Sequence, residues 1–155
     1  MMMKEIVLDK DALLYEIENT VDKISRSRLR DDNLEQSIQV QADETEQDRA
    51  ITVRSVNNSI NVIRTRMGAY ISNEDAGDEV VKLQFPEGWK ECVFPDLVGS
   101  IREYVINIGV FEWLRVTLPQ EAQGYRERAE ECLDRVKSCV TARVAGSVRR
   151  PLQPF

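Results

Sequence analysis

Hydrophobic positions recur at helical spacing in four segments of the chain, and two short apolar runs alternate like strands. The first run, KEIVL at residues 4–8, predicts a β-strand. Asp9 or Asp11 then suits the cap of a helix that ends near Arg30. The apolar positions of this helix are Leu14, Ile17, Val21, Ile24 and Leu29.

A second helix is predicted from about Asp48, which suits a cap, to Tyr70. Its apolar positions follow one another at spacings of 3, 4, 3, 4 and 3, which is typical of a narrow packed seam. These positions are Val53, Val56, Ile60, Ile63, Met67 and Tyr70. Residues 31–48 are acidic and lack a strong apolar period, so they predict a loop or a poorly packed extended segment.

The second apolar run, VVKLQF, predicts a strand with Val81, Leu83 and Phe85 on one face, and this strand can pair with the N-terminal strand. A third helix follows, with Pro95 and Asp96 in its first turn. Its apolar positions are Leu97, Ile101, Tyr104, Ile108 and Phe111. Glycine weakens a helix, so Gly99 and Gly109 predict close packing by a neighbouring element.

The last helix follows Pro119, with Thr117 as the predicted cap and Gln120 at the spacing of a capping box. Gly146 is the predicted stop. The buried stripe is mostly small: Ala122, Tyr125, Ala129, Cys132, Val136 and Cys139. Such a stripe favours a tight antiparallel hairpin with the third helix.

These elements predict a mainly α protein, a helical bundle of about four helices with a C-terminal antiparallel helix hairpin and a minor β element. The chain of 155 residues suits one domain, which we assign to residues 1–146. Residues 147–155 are assigned to an extended C-terminal arm. No apolar run approaches the roughly 20 residues of a membrane span, and MMMKEIVLDKD lacks the apolar region of a signal peptide. We therefore expect an intracellular protein without membrane contact.

The chemistry of the chain is bounded by the absence of histidine. Catalysis by Ser-His-Asp or Cys-His groups is excluded, as is every zinc site that contains histidine. Three cysteines without a CxxC pair, Cys92, Cys132 and Cys139, are predicted to be small buried side chains. We therefore expect no enzyme activity, no cofactor and no metal.

Three other groups of residues suggest candidate sites. Glu130, Glu131 and Asp134 resemble paired carboxylates, but a helix face rich in Glu and Arg is usually a solvated surface. The tryptophans, Trp89 and Trp113, are predicted to serve as loop plug and core anchor rather than as stacking platforms.

Net charge is −6, yet residues 49–73 hold four arginines and no acid. A possible basic strip on the second helix contains Arg54, Arg64 and Arg66. It predicts nucleic-acid binding that is at most weak, because no base-reading motif accompanies it.

The C-terminal arm carries paired arginines and two prolines beside apolar side chains. Prolines favour an extended conformation that loses little entropy on docking. The predicted docking residues are Arg149, Arg150, Pro151, Leu152, Pro154 and Phe155. They are expected to dock on a neighbouring protein or on their own domain, with a frayed terminus as the alternative.

The stretch WLRVTLPQEAQGYRERAEECLDRVKSCVTAR, running into VRRPLQPF, resembles small prophage virion proteins of the Bacteroides type. More loosely, the size and the order of helices resemble head-tail connector, or neck adaptor, proteins of tailed phages. The resemblance implies a structural ring subunit without enzymatic activity. It also implies that the arm contacts an adjacent subunit or another virion protein such as a portal or tail component, and that the protein is cytoplasmic before assembly and then part of the virion. The alternatives are a cytoplasmic helical adaptor or regulator and a weak nucleic-acid-binding module.

Overall fold

Four helices and a two-stranded sheet make up the part of the chain that the computed structural model describes, which is residues 2–30, 46–72, 77 and 79–144. The elements in chain order are β1 (Met2–Val7), α1 (Lys10–Arg30), α2 (Glu46–Arg66), β2 (Val80–Phe85), α3 (Phe94–Leu114) and α4 (Pro119–Thr141). Short 3-10 turns lie at Gly68–Tyr70 and Glu91–Val93. The predicted mainly α fold with a minor β element is confirmed.

The sheet joins the N-terminal strand to the strand that precedes α3. β1 and β2 are antiparallel, with Met2 opposite Phe85 and Val7 opposite Val80. The predicted pairing is therefore correct, although β1 begins two residues before the predicted start. Val81, Leu83 and Phe85 share the buried face of β2, as their alternation predicts.

Helix α1 begins where the sequence predicts. The Asp9 carboxylate accepts hydrogen bonds from the backbone N–H groups of Asp11, at 3.1 Å, and Ala12, at 3.3 Å. Asp9 rather than Asp11 is therefore the cap, because its side chain reaches the unpaired N–H groups of the first turn. Of the predicted apolar face, Leu14, Ile17 and Val21 are buried.

Helix α2 differs from its prediction at both ends. It begins at Glu46, so Asp48 lies inside the first turn instead of capping it. Acidic residues are favourable throughout the first turn of a helix, so the sequence fits this earlier start equally well. After Arg66 the chain tightens into the 3-10 turn that contains Tyr70, beginning at Gly68, a poor residue for continuing an α-helix. Of the predicted loop, residues 31–45 lie outside the described residues.

Helices α3 and α4 form the predicted antiparallel hairpin, the most extensive helix contact among the described elements. The Cys132 thiol lies 3.7 Å from Glu103 Oε2 and 3.9 Å from Asn107 Nδ2, and the Arg126 guanidinium lies 5.7 Å from the Phe111 ring centroid. The predicted stripe is confirmed, since five of its members are buried: Ala122, Ala129, Cys132, Val136 and Cys139.

The start of α4 does not use the predicted capping box. Leu118 occupies the cap position, no side chain caps the helix, and the Thr117 hydroxyl is buried without a hydrogen-bond partner. Pro119 explains the difference. Its fixed φ suits the first helical position, which leaves the residue directly before it at the cap.

Helix α3 is buried on more faces than a single stripe predicts. Ile108 and Phe111 are only partly buried, whereas Val105, Val110 and Leu114 are buried. The reason is that α3 packs against α1 and α2 as well as against α4. A central helix of this kind lacks the clear polar face on which the periodicity argument depends.

The two glycines of α3 have different environments. A Cβ atom built on Gly109 would lie 2.3 Å from Ile17 Cδ1 and 2.8 Å from Ile17 Cγ1, so this glycine permits the close approach of α1. Gly99 has nothing within 4 Å of such an atom. The prediction of close packing is thus correct for Gly109 and wrong for Gly99, which is exposed.

We expect Gly109→Ala to lower the free energy of unfolding by about 1 kcal/mol, because the overpacking penalty exceeds the gain in helix propensity. Ile17 is fully buried and has little room to move away. Urea denaturation is the measurement, and Ile17→Val supplies the control because it removes the nearest methyl. The Gly109→Ala penalty should shrink in that background, and equal penalties in both backgrounds would contradict the contact. Gly99→Ala should be neutral or stabilising.

Candidate docking surface

The chain leaves α4 through a short extended segment that is bound to the turn before α3. Lys90 N–H donates to the Ala142 carbonyl at 3.1 Å, and Val144 N–H donates to the Gly88 carbonyl at 2.8 Å. Trp89 and Arg143 form the antiparallel bridge between them. We call residues 142–144, paired with 88–90, the arm root, because the predicted C-terminal arm follows them.

Trp89 connects the arm root to the core. Its side chain is 2% exposed, and its indole N–H donates to the Cys139 carbonyl at 2.8 Å. The indole stacks on Phe85 of β2, with ring centroids 3.8 Å apart and planes 5° from parallel. Gly88, with φ of 88°, supplies the left-handed turn that directs the chain into this position. The single side chain therefore holds both the sheet and the last turn of α4.

The predicted stop of α4 at Gly146 is wrong, since the helix ends at Thr141 and Ala142 is extended. The arm root explains this early end, because residues 88–90 provide backbone hydrogen bonds that replace those of a further helical turn. Arg143 contributes as well, since its guanidinium donates to the carbonyls of Val140 and Ala142. These bonds satisfy acceptors that a helix end would otherwise leave unpaired.

All six predicted docking residues, from Arg149 to Phe155, lie outside the described residues, as does the boundary between residues 146 and 147. Their docking role stays a prediction. What the structure describes is the arm root, whose last residue, Val144, is 50% exposed. Residues that follow Val144 therefore start from a fixed point on the surface of the bundle.

A groove of about 520 Å³ lies between the C-terminal end of α2 and the second half of α4. Its floor is apolar and is formed by Met67, Leu133, Val136 and Val140. Its rim is charged and exposed and is formed by Arg66, Glu130, Asp134 and Lys137. Met67, Val136 and Val140 are at most 4% exposed, so the accessible lining consists mainly of the charged rim and the partly buried Leu133. We call this feature the α2–α4 groove.

The three arginines of the possible basic strip do not form one surface. Arg54 is exposed on α2. Arg64 donates to the carbonyls of Gly77, at 3.2 Å, and Val80, at 3.1 Å. Arg66 lies on the rim of the α2–α4 groove, on the opposite side of the helix, because two residues correspond to a rotation of about 200°.

Arg64 also lines a smaller cavity of about 180 Å³, together with Lys10, Asn57, Ile60 and Asn61. The two carbonyl contacts of Arg64 tie α2 to Gly77, before β2, and to Val80, the first residue of β2. The position of Arg64 therefore has a structural explanation that does not involve a nucleic acid.

The acidic residues of α4 lie on its solvated face. Glu130, Glu131 and Asp134 are exposed, and the Glu130 carboxylate lies 3.7 Å from Arg126 in an i,i+4 ion pair. Within the described residues, no three histidine, cysteine, aspartate or glutamate side chains are grouped so that they could hold a metal ion. None of the helices among these residues is long and apolar enough to cross a bilayer.

The cysteines differ in exposure. Cys132 and Cys139 are buried as predicted, but Cys92 is exposed in the 3-10 turn before α3. Burial raises the pKa of both buried thiols, and the nearby Glu103 carboxylate raises that of Cys132 further. A raised pKa favours the unreactive thiol form, so Cys132 and Cys139 act as packing residues at neutral pH.

The arm root and the α2–α4 groove are the features that sequence analysis missed. The groove is formed by residues far apart in the chain, and no local pattern brings Arg66 and Met67 next to residues 130–140. One sequence feature pointed to the arm root, namely the order of Pro, Gly and Trp within residues 86–89. It predicted that Trp89 plugs a loop, but it did not indicate which segment Trp89 contacts. No protein-family model, curated protein or solved structure matches the chain. The resemblance to phage connector proteins therefore stays a prediction.

Proposed function

We propose that this protein is a non-enzymatic assembly protein of a phage or prophage particle, a head-tail connector subunit that forms a ring. In this proposal the C-terminal arm docks on an adjacent subunit or on a portal or tail component. The fold supplies a rigid platform, and the arm supplies the contact. Localisation would then change from the host cytoplasm to the virion on assembly.

The observation that carries the proposal is the arm root. A segment that merely frays would not need two backbone hydrogen bonds, an arginine on the last carbonyls and a buried tryptophan at the point where it starts. Fixing the start of an otherwise extended segment reduces the volume that it samples and so raises its effective concentration near one side of the bundle. This arrangement suits a subunit that presents its arm in a defined direction.

The composition of the arm supports docking on a protein. Arginine and large apolar side chains are enriched at the energetic centres of protein interfaces, and proline limits the entropy lost on binding. From Thr141 onward the chain has three arginines and no acid, whereas the whole protein has a net charge of −6. A basic arm on an acidic subunit favours contact between copies.

We expect replacement of residues 149–155 by a Gly-Ser sequence of equal length to abolish self-association and leave the fold intact. The helices and the sheet that form the core all lie N-terminal to this segment. Sedimentation velocity of the full chain, from micromolar to near-millimolar concentration, measures association, and circular dichroism measures the fold.

The outcomes separate the proposal from its rivals. A variant that unfolds would show that the arm belongs to the core. A full chain that stays monomeric at every concentration, or a variant that assembles like the parent, would contradict the ring proposal. A monomeric chain that still captures another protein through the arm would favour the adaptor alternative.

A further inference from the structure

The smaller cavity beside Arg64 is polar and positively charged. Lys10, the first residue of α1, lies on one side of it, and one face of α2 supplies Asn57, Ile60, Asn61 and Arg64 at helical spacing. Lys10 and Arg64 are cations, and the described residues contribute no carboxylate to the lining. We call this feature the α1–α2 cavity. Its single sign of charge distinguishes it from the α2–α4 groove, whose rim carries both signs.

The guanidinium of Arg64 is held in place beside this cavity by the sheet. It donates to the carbonyls of Gly77 and Val80, and Val80 lies opposite Val7, three residues before Lys10. Because both acceptors are neutral carbonyls, these two bonds orient the guanidinium without neutralising its charge. A cation that is already oriented loses little side-chain entropy when it binds an anion. Arg64 is therefore suited to an anion site at the start of α1.

Lys10 has no partner that accounts for its position. Its side chain is partly buried, and it forms no ion pair or side-chain hydrogen bond within the described residues. The preceding Asp9 carboxylate accepts bonds from the backbone N–H groups of Asp11 and Ala12. The positive end of a helix dipole disfavours a cation in the first turn. An anion bound in the cavity would offset this cost.

Asn57 supplies a second polar group without a partner. Its Oδ1 atom is buried and makes no hydrogen bond. A buried polar atom of this kind destabilises the free protein, so its presence calls for an explanation. The Asn57 amide can present N–H donors to a ligand, because a half-turn about its last bond exchanges oxygen and nitrogen. Asn61, one turn further along α2 and exposed, offers the same donors to the cavity.

The volume and the charge of the cavity define the class of ligand. A water molecule takes about 30 Å³ in the liquid, so about 180 Å³ has room for a group of several heavy atoms such as a phosphate. Guanidinium, ammonium and amide N–H groups are donors that bind phosphate oxygens. A phosphate can carry two negative charges, which match the two cations, whereas a carboxylate carries one. We propose that the α1–α2 cavity binds a phosphate group, either as the free ion or as the terminal phosphate of a small molecule. This inference is independent of the ring assembly proposed above.

Titration of the ¹⁵N-labelled full-length chain with inorganic phosphate, followed by NMR, tests the inference. We expect saturable shifts of the side-chain amide signals of Asn57 and Asn61 and of the backbone amide of Lys10. Sodium chloride at matched ionic strength is the control and should give no saturable shift. Glycerol 3-phosphate is the second ligand. Equal affinity of the two ligands would identify the free ion, and tighter binding of glycerol 3-phosphate would identify a phosphorylated small molecule.

Two pairs of matched variants identify the residues that bind. Lys10→Met should weaken phosphate binding about tenfold, because it removes a charge-assisted hydrogen bond. Lys23→Met, at an exposed position of α1 outside the cavity, should leave the affinity unchanged.

Asn57→Leu separates a binding role from a structural one. It should raise the urea midpoint measured without phosphate, because it removes a buried acceptor that has no partner. It should also lose the increase in midpoint that phosphate gives the parent chain. Asn58→Leu, at the next position of α2 but exposed and outside the cavity, should keep that increase.

Four outcomes would overturn the inference. The first is the absence of a saturable shift at millimolar phosphate, and the second is a set of shifts that maps to another surface or that chloride produces equally. The third is equal phosphate affinity of Lys10→Met and Lys23→Met. The fourth is an Asn57→Leu chain that is less stable than the parent without phosphate and still responds to it. These measurements do not depend on self-association, so they leave the proposed function to its own test.

Discussion

Replacing Trp89 by alanine is expected to lower the free energy of unfolding by about 3 to 5 kcal/mol, the largest effect of any single substitution considered. The indole is 2% exposed, stacks on Phe85 and lies edge-on to Phe94, with ring centroids 6.5 Å apart. Its removal leaves a cavity where the sheet, the arm root and the end of α4 meet. It also leaves the Cys139 carbonyl without its buried donor.

Urea denaturation of Trp89→Ala measures this loss, and Trp113→Ala is the matched control. Trp113 is only partly buried, so its replacement should cost clearly less. Trp89→Phe should fall between wild type and Trp89→Ala, because it keeps an aromatic ring against Phe85 and loses the hydrogen bond. Equal losses for the two alanine variants would show that Trp89 does not have the central position described above.

Hydrogen exchange at the arm root extends the same prediction from stability to function. The amides of Lys90 and Val144 are bonded across the root, so they should exchange faster in Trp89→Ala than in Trp113→Ala. If arm docking depends on a fixed starting point, the self-association of Trp89→Ala should weaken under conditions where the chain is still folded. An unchanged exchange rate of the Val144 amide would show that the hydrogen bonds of the arm root do not depend on Trp89.

The sequence predicted the elements because their information is local. The seam from Val56 to Met67 and the small stripe of α4 each repeat at helical spacing, and the structure places them in the core. The alternation in VVKLQF likewise predicted which face of β2 is buried. Periodicity reports which side of an element avoids water, and that is enough to assign the element type and its orientation.

Features that depend on contacts between distant segments were not predictable in the same way. Gly99 and Gly109 are the same residue type on the same helix, and only the proximity of Ile17 on α1 to Gly109 distinguishes them. The helix end at Thr141 depends on backbone partners from residues 88–90, more than fifty positions earlier in the chain. A glycine such as Gly146 favours the end of a helix, but the helix ends earlier where tertiary hydrogen bonds replace those of a further turn.

The candidate docking surface likewise has features that are predictable from local sequence and features that depend on contacts between distant segments. Composition identified the arm and the arginines, but not where they lie relative to acceptor surfaces. Arg64 and Arg66 were grouped because they are close in sequence, yet the helix directs one to carbonyls near β2 and the other to the rim of the α2–α4 groove. The groove was invisible in the sequence, because its floor consists of the same apolar positions that any packed helix would have.

Ala129→Leu is expected to destabilise the fold by about 1 to 3 kcal/mol through overpacking of the α3–α4 hairpin. Ala129 is fully buried, and the contacts of Arg126 with Phe111 and of Cys132 with Asn107 place it opposite the stretch between these two α3 residues. Interiors are packed as densely as organic crystals, so a leucine there forces the two helices apart.

The displacement should also impair assembly, because α4 carries the arm root. Ser138→Leu is the matched control, since it adds the same side chain at an exposed position of α4 and should leave the urea midpoint almost unchanged. The urea midpoint of both variants tests whether the packing of Ala129 stabilises the fold. Their sedimentation coefficients test separately whether the position of α4 affects assembly. An unchanged midpoint for Ala129→Leu would contradict the packing of Ala129 against α3. A lowered midpoint with normal assembly would show that the hairpin stabilises the subunit without setting the direction in which the arm leaves it.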